Sequence, residues 1–232
     1  MALLPHGPVQ PLQVRIATTA GSVHVTGDDR AEVAVEPGAE MAFTKDGVVE
    51  IRPRRPSSAV TVHCPAGANL VVGTASGSVE LQGRLGSVSI TSASGSIRVA
   101  AVADADLRTA SGAVEVGDCV QACRVSTKSG RVTVDDTGSA DVSTVSGTVR
   151  IERVTGEVVA YTVSGGVTIM ADGPGPVRAR TVSGGVTVLL PAGTKPTIRV
   201  SGRGLVESAC EAGDDVIVDV TTVSGTVEVV PC

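Results

Sequence analysis

The residues Thr127–Ile151 read TKSGRVTVDDTGSADVSTVSGTVRI and contain one short pattern twice, at a spacing of 17 residues. The pattern is Thr or Ser, any residue, Ser, Gly, any residue, and Val or Ile. From Gly77 to Gly184 its glycines follow one another at 18, 17, 18, 17, 18 and 19 residues. Gly225 follows after 41 residues, and a weaker copy around Gly21 precedes Gly77 by 56. A fixed period of this kind indicates a protein built from stacked repeats.

Other positions of the repeat, which the pattern does not include, are apolar. The residues seven and five positions before each glycine, and four positions after it, are apolar or Cys in all nine copies. In the copy around Gly130 these residues are Cys123, Val125 and Val134. Apolar residues at alternate positions mark strands with one face toward a core, and the glycine between them allows a bend. Each repeat is therefore predicted to form two strands and two bends.

These observations predict an all-β, single-domain parallel β-solenoid (β-helix) with about 17–18 residues per coil. Equivalent residues of successive coils should stack about 4.8 Å apart and pair in parallel. The crossover preference of parallel strands favours right-handed winding. A left-handed hexapeptide solenoid is the alternative, but no six-residue apolar period is visible.

Two insertions interrupt the period near the ends. We expect residues 1–69 to form an N-terminal coil plus a β-hairpin cap, residues 70–189 the regular solenoid, and residues 190–232 a C-terminal insertion and the last coil. Solenoid ends expose unpaired edges, so the insertions are expected to cover them or to form a small packed sheet at each end. The expected local features are strand-like runs at Glu32–Val35, Met41–Phe43, Val48–Ile51 and Val60–Val62, a hairpin turn at Asp46–Gly47 and a loop at Arg52–Pro56.

Composition excludes several classes of function. The net charge is −5, from 24 acidic and 19 basic residues, which gives no electrostatic reason to bind nucleic acid or an anionic membrane. One Phe, one Tyr and no Trp cannot build the aromatic platform typical of carbohydrate-binding solenoids. Met1–Pro11 lacks the apolar stretch of a signal peptide, and no apolar run is long enough to insert directly into a membrane. Five cysteines without a dense framework favour reduced thiols, so we expect a cytoplasmic protein.

No catalytic residue, cofactor or metal site is predicted. A serine that recurs in eight of nine copies is better explained by hydroxyl groups that bond along the stack than by a nucleophile, which needs a base beside it. His63 and Cys64 have no second pair at zinc spacing. Cys123 lies in an inward column, near Cys119, and is expected to be a buried structural thiol. Stacked carboxylates could hold calcium, but no glycine-rich calcium-binding repeat is present, and a solvated turn explains them better: Asp118, Asp135, Asp136 and Glu152.

One outward column suggests a contact face. Two positions before the glycine, the later copies carry Val145, Val163, Val182 and Val223. A row of exposed valines in water favours contact with a partner. Two alternatives stay open at this stage, because an insertion could pack over the valines or the bend could turn them inward.

Three repeats also support a resemblance to a known family. Thr74–Leu81 (TASGSVEL), Thr144–Ile151 (TVSGTVRI) and Thr181–Val188 (TVSGGVTV) resemble the bacterial putative-adhesin β-strand-repeat family, a domain of unknown function. The approach Val62–Leu70 (VHCPAGANL) and the exit Leu189–Gly193 (LLPAG) are similar to that family too. The resemblance covers nearly the whole chain. It implies a repetitive β-helix-like domain of the kind found in surface or membrane-linked proteins, and it implies no catalytic residue.

The function predicted from the sequence is a non-catalytic binding or scaffolding module, with a protein partner or self-association and with a possible link to the cell envelope. A rigid repetitive rod displays surface and lacks the singular polar residues of an enzyme. The alternative is a self-assembling structural protein that polymerises through the solenoid ends or through the Val145, Val163 and Val182 face.

Overall fold

The structure, a computed structural model, describes residues 12–36, 39–43 and 48–231. Within these ranges the chain forms strands and no helix, and so no helix that could cross a membrane. The strands are β1 Gln13–Ala17, β2 Val23–Asp28, β3 Ala34–Val35, β4 Ala39–Phe43, β5 Val49–Pro53, β6 Val60–Pro65, β7 Asn69–Thr74, β8 Val79–Ser94, β9 Ile97–Ser111, β10 Val114–Ser129, β11 Val132–Ser146, β12 Val149–Val154, β13 Val158–Ser164, β14 Val167–Ala171, β15 Val177–Ser183, β16 Val186–Leu190, β17 Pro196–Gly202, β18 Leu205–Ser208, β19 Val216–Ser224 and β20 Thr226–Pro231.

Each turn of the chain forms one layer, with a strand on either side of a thin core. We call the strands that precede the Ser-Gly bend the first face and those that follow it the second face. Successive layers pair in parallel, with Val125 beside Val142 on the first face and Val114 beside Val132 on the second. Strands β8–β11 turn the corner between the faces, so all strands belong to one continuous sheet. The predicted parallel β-solenoid is confirmed, and its right-handed winding stays a prediction.

The inward columns form the core. Leu81, Val99 and Val116 pair with one another in consecutive layers, and each is at most 3% exposed. The same holds around the stack, because every apolar position predicted to face inward is buried. Thin aliphatic columns fill this narrow interior without aromatic rings, which agrees with the composition.

The Ser-Gly bend requires glycine for two reasons. At Gly165, φ is +141°, a backbone conformation that residues with a Cβ rarely adopt. A Cβ built there would lie 1.8 Å from the carbonyl oxygen of Gly147 in the preceding layer. The column of motif glycines therefore lets the bends of successive layers approach one another closely.

At the N-terminal end, the insertion adds a layer beyond the first motif-bearing one. β1 pairs in parallel with β5 on one side and with β7 on the other, while β2 pairs with β6 and β8. The layer of β1 and β2 is thus enclosed between two layers that come later in the chain. β4 then pairs antiparallel with β5, and β3 pairs antiparallel with β6.

The predicted hairpin has the expected pairing of β4 with β5, although its turn at Asp46–Gly47 lies outside the described residues. The loop predicted for Arg52–Pro56 is wrong at its start, because β5 continues through Pro53. Arg52 and Pro53 pair with β4 instead of leaving the sheet.

The C-terminal end is arranged in the same way. β19 pairs in parallel with β15 and with β17, and β20 pairs with β16 and with β18. The layer of β17 and β18 therefore lies outside the layer that follows it in the sequence. Both insertions form stacked layers, so neither the first nor the last motif-bearing layer is at an end of the solenoid.

Candidate interaction face

The four valines predicted from the sequence lie together in a row. Val145, Val163, Val182 and Val223, which we call the valine stripe, each stand between a Thr and a Ser that pair with their counterparts in the next layer. Three of them are exposed, at 50% for Val145, 40% for Val182 and 59% for Val223, and Val163 is half-buried. No described segment covers the row, and the bend leaves three of the four valines exposed. Its role as a contact surface stays a prediction.

Hydrogen bonds at the bend hold the stripe outward. The Ser164 hydroxyl donates to the Val145 carbonyl at 3.5 Å, and the Ser224 hydroxyl donates to the Val182 carbonyl at 3.4 Å. The Gly165 N–H donates to the Ser183 carbonyl at 3.2 Å. The serine column therefore bonds along the stack, as predicted from the sequence. Such bonds fix the backbone of each bend to its neighbour and leave little freedom in where the valines point.

The threonine column, three positions before the motif glycine, faces the core instead of bonding along the stack. Thr162 is fully buried, and its hydroxyl has no hydrogen-bond partner within the described part of the chain. Thr144, Thr181 and Thr222 share this environment. Thr127, in an earlier layer, donates to the Ser129 carbonyl of its own bend at 3.1 Å. Its position continues the inward alternation of the strand, so we assign the column to core packing.

A shallow cavity of about 440 Å³ adjoins the stripe. Arg108 and Tyr161 stand at its two ends, and Lys128 and Val145 at its side. Ser126 and Ser143 occupy the same outward position as Arg108 and Tyr161 in the two layers between them, with their hydroxyl oxygens 3.2 Å apart. The small serines create the depression, and the only tyrosine of the chain, 43% exposed, closes one end of it.

The surface beside the stripe is basic although the chain is acidic overall. Lys128, Arg131 and Arg180 have no ion pair among the described residues. Arg108 pairs with Asp106 at 2.8 Å. The outward positions four and two residues before the motif glycine, and one after it, contain no Asp or Glu between Arg108 and Thr226. The stripe therefore combines an apolar row with uncompensated positive charge.

The chain matches the Toastrack family of domains of unknown function (DUF4097) over residues 12–230. The chain belongs to the Toastrack family. The resemblance predicted from the repeats is thereby confirmed. Two solved structures are similar to this Toastrack chain. A "putative adhesin" from Bacteroides fragilis has 13% identity, covers 97% of this chain and 94% of its own, and has a TM-score of 0.44. A "putative cell adhesion protein" from Clostridium sporogenes has 10% identity, covers 96% and 93%, and has a TM-score of 0.24. No functionally curated protein matches the chain.

The histidine and cysteines considered in the sequence of this Toastrack chain lie on its strands. His63 and Cys64 are consecutive on β6, so they face opposite sides: Cys64 is buried, and Nδ1 of His63 lies 3.5 Å from Oδ2 of Asp28. Burial raises the pKa of the Cys64 thiol to about 11. Cys119 and Cys123 are both buried, and a hydrogen bond between them lowers the pKa of Cys119 and raises that of Cys123. The described residues contain no group of three or more potential metal ligands.

Two members of the predicted carboxylate cluster form separate ion pairs with arginines. Asp136 accepts a hydrogen bond from Arg153 at 2.7 Å, and Glu152 accepts one from Arg150. Asp135 has no such partner among the described residues. Partial burial, and then the nearby charges of Glu152 and Glu115, raise the pKa of Asp135 above its usual value. The cluster is therefore a set of surface ion pairs with one carboxylate left in an unfavourable environment.

The environment of Asp135 predicts an effect of its charge on stability that depends on pH. Asp135 is charged in both the folded and the unfolded state at neutral pH, and its charge is disfavoured only in the folded one. Replacing Asp135 with Asn is therefore expected to raise the melting temperature at pH 7 by only about 1–2 °C, because solvent screens this exposed side chain. The gain should vanish as the pH falls below the usual pKa of Asp, where the carboxyl is protonated in both states. Asp136→Asn is the matched control, and should lower the melting temperature at pH 7 because it loses Arg153. A gain for Asp135→Asn that persists at pH 3 would contradict the electrostatic explanation.

Proposed function

We propose that this Toastrack domain is a non-catalytic binding module that holds an extended segment of a partner protein along the valine stripe. The observation that carries the proposal is the row of exposed valines beside cations without ion pairs. The partner segment that fits such a surface is apolar with acidic residues interspersed. The layered scaffold supports this role, because each valine stands on a hydrogen-bonded bend and pays little conformational entropy on binding.

The cavity beside the stripe extends the proposal to one side chain of the partner. Its polar lining of Ser126 and Ser143, with Lys128 and Arg108 at the rim, suits a carboxylate that enters this surface depression. Tyr161 offers an apolar ring at the other end of the cavity, and such amphipathic rings are frequent anchors in protein interfaces. A link to the cell envelope and a cytoplasmic location remain predictions.

A peptide titration tests this function. The probes are two synthetic peptides of alternating residues, one of Val and Glu and one of Val and Lys, with a fluorescent label read by anisotropy. We expect the Glu peptide to bind and the Lys peptide not to bind. Replacing Val163 and Val182 together with Glu should weaken binding of the Glu peptide by about tenfold or more. The expected loss comes from two apolar contacts that are replaced by negative charges, which repel the Glu side chains of the peptide.

The matched control is Val120→Glu, because Val120 is 66% exposed and lies outside the stripe. This variant should bind the Glu peptide like the parent chain. Equal binding of both peptides, or equal losses in the control and the stripe variant, would refute the proposal. A lower mass of the stripe variant in sedimentation would instead assign the stripe to self-association.

A further inference from the structure

The outer layer at the C-terminal end has two open edges. Among the described strands, β17 pairs only with β19, and β18 pairs only with β20. The outer edge of each strand therefore presents backbone N–H and C=O groups without strand partners. The two edges belong to opposite faces of the solenoid, which lie about 10 Å apart. This end thus presents two strand edges, one on each face of the solenoid, at a fixed separation.

The interior between these edges is apolar and open. Ile198 pairs with Val218, and Val200 pairs with Val220. Because Val218 and Val220 are fully buried, Ile198 and Val200 occupy the inward positions of the outer layer. Both are only partly buried. Val206 pairs with the buried Val227 and is 44% exposed, because no described layer covers it. The core columns therefore continue to the end of the stack and reach solvent there.

We propose that this end docks against the same end of a second copy, in a two-fold dimer in which β17 of each copy pairs with β18 of the other. An extended peptide could satisfy one edge, but it would leave the other edge and the apolar interior exposed. A second solenoid end supplies two strands at the same separation with apolar residues between them. The contact is isologous and closes, so it gives a dimer.

The charges on β17 and β18 favour the pairing of β17 with β18 over the pairing of β17 with β17. β17 and β18 run in opposite directions, because the chain reverses at the bend between them. A two-fold axis parallel to the strands therefore pairs β17 with the partner's β18 in antiparallel fashion. Arg199 and Glu207 are exposed on these strands and have no ion pair among the described residues. This arrangement brings Arg199 of each copy near Glu207 of the other, within the reach of cross-strand neighbours. Pairing β17 with β17 would gather like charges instead.

The N-terminal end is a poorer partner for this surface. Its second-face edge is β3, which has only two residues and would leave much of β18 unpaired. On its first-face edge, Glu40 already pairs with Arg54 at 3.4 Å. Head-to-tail stacking would therefore satisfy one edge and compete with an existing ion pair. These differences favour the two-fold dimer over a filament.

Sedimentation equilibrium of the full chain over a range of micromolar concentrations tests the proposal. We expect a monomer–dimer equilibrium. Val206→Lys should weaken dimerisation by about tenfold or more, because each copy places a charge in the closed apolar interior. The matched control is Ile217→Lys, since Ile217 is 42% exposed but lies on the outer surface of the neighbouring layer. This control should change the dimer dissociation constant by less than about threefold.

A charge exchange tests the strand pairing itself. Arg199→Glu and Glu207→Arg should each weaken the dimer by about tenfold, because the two-fold axis repeats every pair. The double variant should restore dimerisation to the parent level. A monomer at all concentrations, equal effects of Val206→Lys and Ile217→Lys, assemblies larger than a dimer, or failure of the double variant would overturn the proposal. Substitutions in the valine stripe should leave the dimer unchanged, so the two proposals can fail separately.

Discussion

Replacing Gly165 with alanine is expected to lower the free energy of unfolding by about 3–5 kcal/mol, through backbone strain and overpacking. The new Cβ would require a φ near +141° and would lie 1.8 Å from the Gly147 carbonyl oxygen. The bend cannot relax alone, since the Gly165 N–H is bonded to the Ser183 carbonyl of the next layer. Relief of the clash would therefore displace two neighbouring layers.

The adjacent residue provides a matched control. Gly166 has no atom within 4 Å of a Cβ built on it, and its backbone is not in the left-handed region. Gly166→Ala should change stability by less than about 1 kcal/mol, with a small gain from the reduced entropy of the unfolded chain. Urea unfolding of the two variants and the parent chain measures the difference. Similar losses at both positions would show that glycine is needed for reasons other than the stacked bends.

Replacing Ile90 with alanine is expected to cost about 2–5 kcal/mol, because the cavity left in the core cannot collapse. Ile90 is fully buried and stacks between Val72 and Leu107 of the adjacent layers. The core of each layer lies between one strand of the first face and one strand of the second face. Hydrogen bonds to the neighbouring layers hold both strands in place. Few side chains are therefore free to move into the space.

The neighbouring Thr91 tests the alternation directly. It is exposed on the opposite side of the same strand, so Thr91→Ala should change stability by less than about 0.5 kcal/mol. Chemical denaturation of both variants, with circular dichroism near 217 nm typical of strands as the readout, gives the comparison. A large loss at Thr91 with a small loss at Ile90 would reverse the assigned faces of the strand.

The motif-bearing layers could be predicted from the sequence because their bends have one length. From Ile16 to Val23, and from Val220 to Val227, the inward residues that flank the bend are seven positions apart. With that length fixed, the alternation of apolar residues locates both strands, as the buried columns confirm. The step of the repeat then follows from the spacing of the glycines.

The outer layers could not be predicted because their bends differ. The inward residues that flank the bend are nine positions apart in the N-terminal outer layer, from Ile51 to Val60. They are six positions apart in the C-terminal outer layer, from Val200 to Val206. Neither layer therefore matches the pattern, although the backbone of each pairs in register with its neighbour. The order of the layers along the solenoid also cannot be predicted from the sequence, because two strands can pair in parallel whichever of them comes first in the chain. The division into residues 1–69, 70–189 and 190–232 stays a prediction.

Part of the candidate interaction face could be predicted as well. The valines recur at one position of the repeat, which made them visible. Tyr161 and the unpaired Lys128 and Arg180 were missed, because outward positions carry no periodic signal and an ion pair depends on the layers above and below. One signal was present in the sequence, namely the absence of Asp and Glu from the columns that flank the valines.

The placement of the outer layers also constrains the order in which the protein can be built on the ribosome. Residues 196–208 are synthesised before residues 216–231, which form the surface on which they rest. During synthesis the outer layer of β17 and β18 therefore has no template until residues 216–231 have been translated. At the other end, the nascent β1 and β2 gain their flanking strands only after β5–β8 have been translated. The central layers can pair as they are made, whereas each end is completed only after strands later in the sequence have been translated.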